Sequence, residues 1–144
     1  MNTVAIHLAE GFEETEAVST IDVIRRSGIN MTIVSATGKL IVTGNHNISI
    51  QADKLFEDVN YDKISMIILP GGMPGAKNLD NHEGIKQKIK AFYDEGRYLS
   101  AICAAPLVFG NLGILDGEKA VCYPGFEKYL KGAHIQGELV VESG

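Results

Sequence analysis

Tyr98-Leu99-Ser100-Ala101-Ile102-Cys103-Ala104-Ala105-Pro106 runs from an apolar, strand-like stretch into a cysteine, and small residues follow where a helix should begin. This is the layout of a nucleophile elbow. A side chain at a sharp strand-to-helix turn projects above the sheet, and the backbone N–H groups that follow it can hold an anion. Two readings of Cys103 stand on this stretch. A helix N-terminus would stabilise the thiolate, lower its pKa and make it nucleophilic near neutral pH. Free cysteine is also among the most buried residue types, so an inert core thiol fits the same residues.

Outward from the elbow, apolar β-rich runs alternate with helical patterns, the signature of a parallel sheet wrapped by helices. Val4-Ala5-Ile6-His7-Leu8-Ala9 opens as a buried strand. Between Glu14 and Arg26, Ala17, Val18, Ile21 and Ile24 recur at helical spacing, and Gly28 follows as a stop. Residues 31–36 read as the second parallel strand, and 40–43 with 47–51 as a hairpin turning at Gly44-Asn45. Ser65-Met66-Ile67-Ile68-Leu69 reads as a central strand ending at Pro70-Gly71-Gly72. Glycines there let the backbone turn sharply, so their N–H groups can line a site at the carboxyl edge of the sheet. Ile85, Ile89 and Phe92 mark one face of a helix over 83–95, closed by Gly96, with Lys86, Lys88 and Lys90 on its solvated side. The helix after Cys103 is expected to run to about Leu112, with Pro106 in its first turn, where a missing N–H costs little. Ala120-Val121-Cys122 reads as a short strand, 126–130 as a short helix and 138–141 as a last strand.

A chain of 144 residues that is 45% hydrophobic suits one globular domain with a sizeable core. A formal charge of −5 disfavours nucleic acid and anionic membrane surfaces as partners, because phosphate binding needs clustered Lys and Arg. No apolar run approaches the ~18 residues of a membrane span. The N-terminus lacks a basic segment followed by an apolar one, so the expectation is a cytoplasmic protein without a signal peptide. Cys103 and Cys122 are too few for a disulfide framework and make no metal motif by spacing. His7, His46, His82 and His134 likewise show no mutual spacing for a metal, and each reads as structural or surface.

In an open α/β sheet the loops at the carboxyl ends of neighbouring strands converge, which brings residues 10–16, 70–75 and 103–106 together. The first of these carries Glu10, Glu13, Glu14 and Glu16. Acidic residues at a helix start serve as caps and dipole partners. A carboxyl brought close to the thiol would instead donate a hydrogen bond or shuttle a proton.

Gly11-Phe12-Glu13-Glu14-Thr15-Glu16-Ala17, Asp22-Val23-Ile24-Arg25-Arg26-Ser27-Gly28, Leu69-Pro70-Gly71-Gly72 and Ala101-Ile102-Cys103-Ala104-Ala105-Pro106 together resemble the ThiJ/PfpI superfamily, in the branch of the parkinsonism-associated DJ-one proteins. Four motifs in order, spread over nearly the whole chain, are far more specific than any one of them. The resemblance implies a flavodoxin-like, class I glutamine amidotransferase-like α/β/α sandwich with a mostly parallel sheet, assembled as a homodimer. It implies a single domain over 1–144 that stops before the family's last strand and helix. It makes Cys103 the reactive residue and Glu16 its hydrogen-bond partner. Gly71, Gly72 and Ala104 then supply the backbone N–H groups of an anion site.

Departures from the family pattern narrow the activity. The protease-like members carry a histidine directly after the cysteine, where this chain has Ala104, so peptidase chemistry is a poor fit. The His-Pro pair near the cysteine of the DJ-one branch is matched by Tyr123-Pro124, and Tyr123, a hydrogen-bond donor but a weak base, becomes an accessory residue. His46 has a secondary claim, because its hairpin lies where the family places dimer contacts. The resemblance therefore implies a cofactor-free thiol enzyme, without a metal, acting on small α-oxoaldehydes such as methylglyoxal in the manner of a glyoxalase or deglycase. The alternative is a redox-sensing or protective thiol protein without turnover.

Overall fold

The computed structural model describes residues 3–144. Strand β1 (Thr3–Leu8) runs through the middle of a five-stranded sheet and is followed by helix α1 (Glu14–Arg26), the helix expected from the periodicity of Ala17 and Ile21. β2 (Asn30–Ser35) returns parallel to β1, pairing Val4 with Met31 through Leu8 with Ser35. β3 (Ile41–Thr43) and β4 (Ser49–Gln51) then form the hairpin, which stands outside the main sheet, and β5 (Lys54–Leu55) pairs with β2 at the sheet edge. β6 (Ile64–Leu69) lies on the other side of β1, and β7 (Tyr98–Ala101) pairs beyond it, giving the order β5-β2-β1-β6-β7 with every pairing parallel.

Three helices follow the glycine turn and the elbow: α2 (Gly75–Asp80), α3 (Glu83–Asp94) and α4 (Pro106–Asn111). Alternation along the strands separates two cores. Val4, Ile6 and Leu8 point into the layer under α1 with Phe12, Ala17 and Ile21. Ala5, Ile67 and Leu69 point into the opposite layer, where Ile85, Ile89 and Phe92 of α3 are fully buried among α2 and α4. Strands buried on both faces read as continuous apolar runs, which is why β1 and β6 are legible in the sequence. Truncating Phe92 to alanine in such a core costs about 3–5 kcal/mol.

The structure departs from the sequence expectations mainly beyond residue 115. β8 (Lys119–Ala120) ends before Cys122, and it pairs with β9 (His134–Ile135) in a separate two-stranded sheet. The expected helix over 126–130 is a single 3-10 turn, Glu127–Tyr129. Residues 138–141 form no strand. Leu139 and Val140 are 98% and 81% exposed, so their apolar run lacks the neighbouring strand that would make it one. α2 was hidden in the sequence by its start among Pro74 and Gly75, and it is held by the burial of Ala76 and Leu79 rather than by propensity.

Candidate active site at the carboxyl edge of the sheet

β7 ends at Ala101, and two residues later Cys103 adopts φ 62°, in the left-handed region that side chains normally avoid. Holding a non-glycine residue there costs about 1 kcal/mol or more, and the surroundings enforce it. Ile102 donates to the carbonyl of Leu69 at 3.2 Å, Ala105 donates back to Ile102 at 3.0 Å, and the Cys103 carbonyl accepts from the Tyr123 N–H at 2.8 Å. α4 then starts at Pro106, which brings no N–H needing a partner. Strand, strained cysteine and helix follow one another as the elbow predicts, and the Cys103 side chain is left half-buried.

Glu16 reaches this thiol from the first turn of α1. Its own N–H donates to the capping carboxylate of Glu13 at 2.7 Å. Its Oε2 accepts from the Gly71 N–H at 2.7 Å, and its side chain hydrogen-bonds Cys103. Gly71 has no room for a side chain, since a Cβ there would sit 2.6 Å from Glu16 Oε2 and 2.7 Å from Cys103 Cβ. Gly72, at φ 92°, brings its N–H to the thiol, as Ala104 does from the other side. Thus Glu16, Gly71, Gly72 and Ala104 all converge on Cys103, with the Gly71 N–H engaged by the carboxyl and the other two facing the sulfur. Tyr123 is attached through its backbone, while its exposed ring packs edge-on against Phe126 at 6.3 Å between centroids.

The electrostatics correct the expectation of a depressed thiol. Burial pushes Cys103 above the ordinary thiol value, the charge of Glu16 and its hydrogen bond push the same way, and the Ala104 and Gly72 amides only partly oppose them. The reason is visible in the fold. α4 is six residues long and begins three residues after the thiol, whereas the Glu16 carboxylate is in direct contact with it. The Glu16 carboxylate therefore disfavours a negative charge on the Cys103 sulfur.

The remaining titratable residues fall elsewhere. His7 is buried with Nε2 2.8 Å from the Tyr61 hydroxyl, and burial pushes it down to about 3, so it is neutral. His82 caps α3 by accepting the Ile85 N–H, and His134 lies exposed in β9. Cys122 is a free, half-buried thiol raised by burial and then by the charge of Glu127. His46 meets Glu14 at 2.9 Å and Glu13 at 3.8 Å, and one ligand atom of each residue falls within 4.8 Å of the others. This grouping is the one that among the described residues has a metal-like spacing, and sequence spacing misses it because 32 residues separate His46 from Glu14.

The DJ-1/PfpI family model matches residues 2–144. The chain belongs to the DJ-1/PfpI family. Among DJ-1/PfpI relatives, the DJ-1 homolog B of Arabidopsis thaliana is 38% identical over 98% of this chain, which spans 34% of that protein's length. A Pyrococcus abyssi protein named as a deglycase is 27% identical, over 96% of this chain and 84% of its own. The solved structure of oxidized Toxoplasma gondii DJ-1 superposes with a TM-score of 0.93 at 34% identity, covering 99% of this chain and 78% of that one. The flavodoxin-like, class I glutamine amidotransferase-like architecture is thereby shown. No helix among the described residues is long and apolar enough to cross a membrane.

Proposed function

We propose that this protein converts small α-oxoaldehydes such as methylglyoxal to 2-hydroxy acids without a cofactor, with Cys103 as nucleophile and Glu16 as proton shuttle. The observation carrying this reading is the convergence of a thiol, a carboxyl and two backbone N–H groups at one strained turn. The raised thiol fits a nucleophile that keeps its proton until Glu16 takes it. Sulfur then bonds to the aldehyde carbon, and the resulting oxyanion, held by the Gly72 and Ala104 N–H groups, receives that proton to give a hemithioacetal. Glu16 next removes the hydrogen from the former aldehyde carbon and returns it to the adjacent carbonyl carbon, as the oxygens exchange a proton. The product is a thioester of the 2-hydroxy acid. Water cleaves it, releasing the acid and restoring the thiol, so the sum is substrate plus one water. The Pyrococcus relative's name supports a related carbonyl chemistry.

A second reading, redox sensing at Cys103, is favoured by the oxidized state named for the Toxoplasma structure. Peroxide would transfer one oxygen to the sulfur to give a sulfenic acid and water, and a second equivalent would give the sulfinic acid. A homodimer in the cytoplasm suits either reading. Lactate production from methylglyoxal by purified protein separates them. The enzyme reading requires turnover that is lost in both Cys103→Ala and Glu16→Gln. Turnover surviving Cys103→Ala refutes it, and absent turnover with stoichiometric oxidation of Cys103 by low peroxide selects the sensor.

A further inference from the structure

The β3–β4 hairpin lies outside the main sheet, yet its turn is tied to the segment that carries Glu16. Gly11 donates to the Thr43 carbonyl and Asn45 to the Phe12 carbonyl, both at 2.8 Å. Between them sits Glu14, the one buried carboxylate among the described residues, at 5% exposure. Its Oε1 accepts from the N–H groups of His46 at 2.6 Å and Ile48 at 3.4 Å, and its Oε2 meets His46 Nδ1 at 2.9 Å. Gly44 closes over it, and a Cβ there would run into the carboxyl group.

A hairpin can be stapled to a helix by apolar packing, so a buried carboxylate needs a further reason. What it adds is a fixed orientation: two oxygens engage three donors. Glu14 and Glu16 are two residues apart, about 200° around the helix, so they leave the first turn of α1 on opposite sides. Glu14 is gripped by the hairpin, and Glu16 by the Gly71 N–H and the thiol. Glu13 links them, donating its N–H to the Gly71 carbonyl at 2.9 Å and accepting the Glu16 N–H.

We infer that Glu14 is a positioning residue: through its hold on His46 and Ile48 it sets where the Glu16 carboxyl lies against the Cys103 thiol. The inference deepens the proposed site and rests on the pairing of Glu16 with Cys103. Releasing the grip lets α1's first turn roll, which moves Glu16 away from the sulfur. The result is a distinctive split, because the thiol loses the neighbouring charge that hinders its ionisation while catalysis loses its proton shuttle.

The test is the pH dependence of iodoacetamide alkylation at Cys103, in a Cys122→Ser background, with methylglyoxal turnover measured alongside. Glu14→Gln removes the charge, Gly44→Ala displaces the carboxyl with its charge intact, and Ile89→Val serves as a control that loosens the core elsewhere. In both hairpin variants the alkylation midpoint falls by about half a pH unit. Turnover falls about tenfold in the same variants. The control moves neither. A midpoint unmoved in both variants, or moved equally by Ile89→Val, overturns the inference. If Glu14→Gln does not fold, Gly44→Ala and His46→Gln decide by the same criterion, the latter with a smaller fall because two backbone donors remain. A wild type without turnover defeats the enzyme reading alone, because the alkylation midpoint still decides the role of Glu14.

Discussion

The two thiols of this chain stand in environments that look alike by charge and burial and differ in backbone. Cys103 and Cys122 are both free and half-buried, and both are raised first by burial and next by a glutamate, Glu16 in one case and Glu127 in the other. Only Cys103 sits at positive φ, receives two backbone N–H groups and is hydrogen-bonded by its glutamate. A raised thiol beside a carboxylate is therefore not by itself a site. The forced turn and the converging amides make the difference, since they present the sulfur and offer a place for developing negative charge.

The comparison is broken most severely at Gly71. Gly71→Ala places a methyl group against both Glu16 Oε2 and Cys103 Cβ, and the expected loss of methylglyoxal turnover is about hundredfold. Mass-spectrometric labelling of Cys122 should be unchanged in that variant, which confines the damage to the elbow. Next in size is the backbone strain. Replacing Cys103 with glycine, which accepts φ 62° freely, should stabilise the fold by about 1 kcal/mol in urea unfolding. Cys122 has no such strain, so Cys122→Gly should destabilise by a similar amount through chain entropy. The smallest effect concerns Glu127, which touches Cys122 only through its charge. Glu127→Gln should lower the Cys122 alkylation midpoint slightly, since burial is the larger cause of its rise and the Glu127 charge acts through screening solvent.

Acidification sets a third contrast, between the buried His7 and the exposed His46. His7 is held down to about 3 against an ordinary value near 6.5, so the unfolded chain binds its proton first and stability declines as pH falls from about 6.5 toward 3. The His46 side of its contact with Glu14 behaves oppositely. His46 is held above its ordinary value by the hydrogen bond and charge of Glu14, so its contribution is present below about 6.5 and is lost as pH rises through the raised value. For Glu14, burial acts upward but the His46 ring and the backbone donors outweigh it. Its contribution is therefore present above about 4.5 and lost as pH falls. His7→Phe should flatten the acid limb of an unfolding curve between about 6.5 and 3, whereas His46→Gln should remove the loss on the alkaline side and also shrink the acid loss that comes from Glu14.

Much of this was legible in the sequence where local pattern and tertiary demand agree. α1 is legible to its end residues because Ala17 and Ile21 bury one stripe and Arg25, Arg26 and Gly28 close it. The elbow is legible because a strand, a cysteine and small residues before a proline leave few alternatives for the backbone. The direction of the thiol's shift was not legible, since it depends on a contact between residues 16 and 103 and on where α4 starts. Nor was the grip of Glu14 on the hairpin, formed across 32 residues. Residues 138–141 show the converse failure, in which an apolar run without a strand to pair with bends irregularly and stays largely exposed.

The coupling of Glu16 to Cys103 is tested most directly by the alkylation midpoint of Cys103 in Cys122→Ser protein, with Glu16 intact and with Glu16→Gln. The Cys103 thiol with Glu16 intact should titrate above the free-thiol value near 8.5, and the midpoint should fall once the carboxylate is gone, with burial still holding it up. An unchanged midpoint in a folded Glu16→Gln protein would mean that the two groups do not share their charge, and would contradict the site described above.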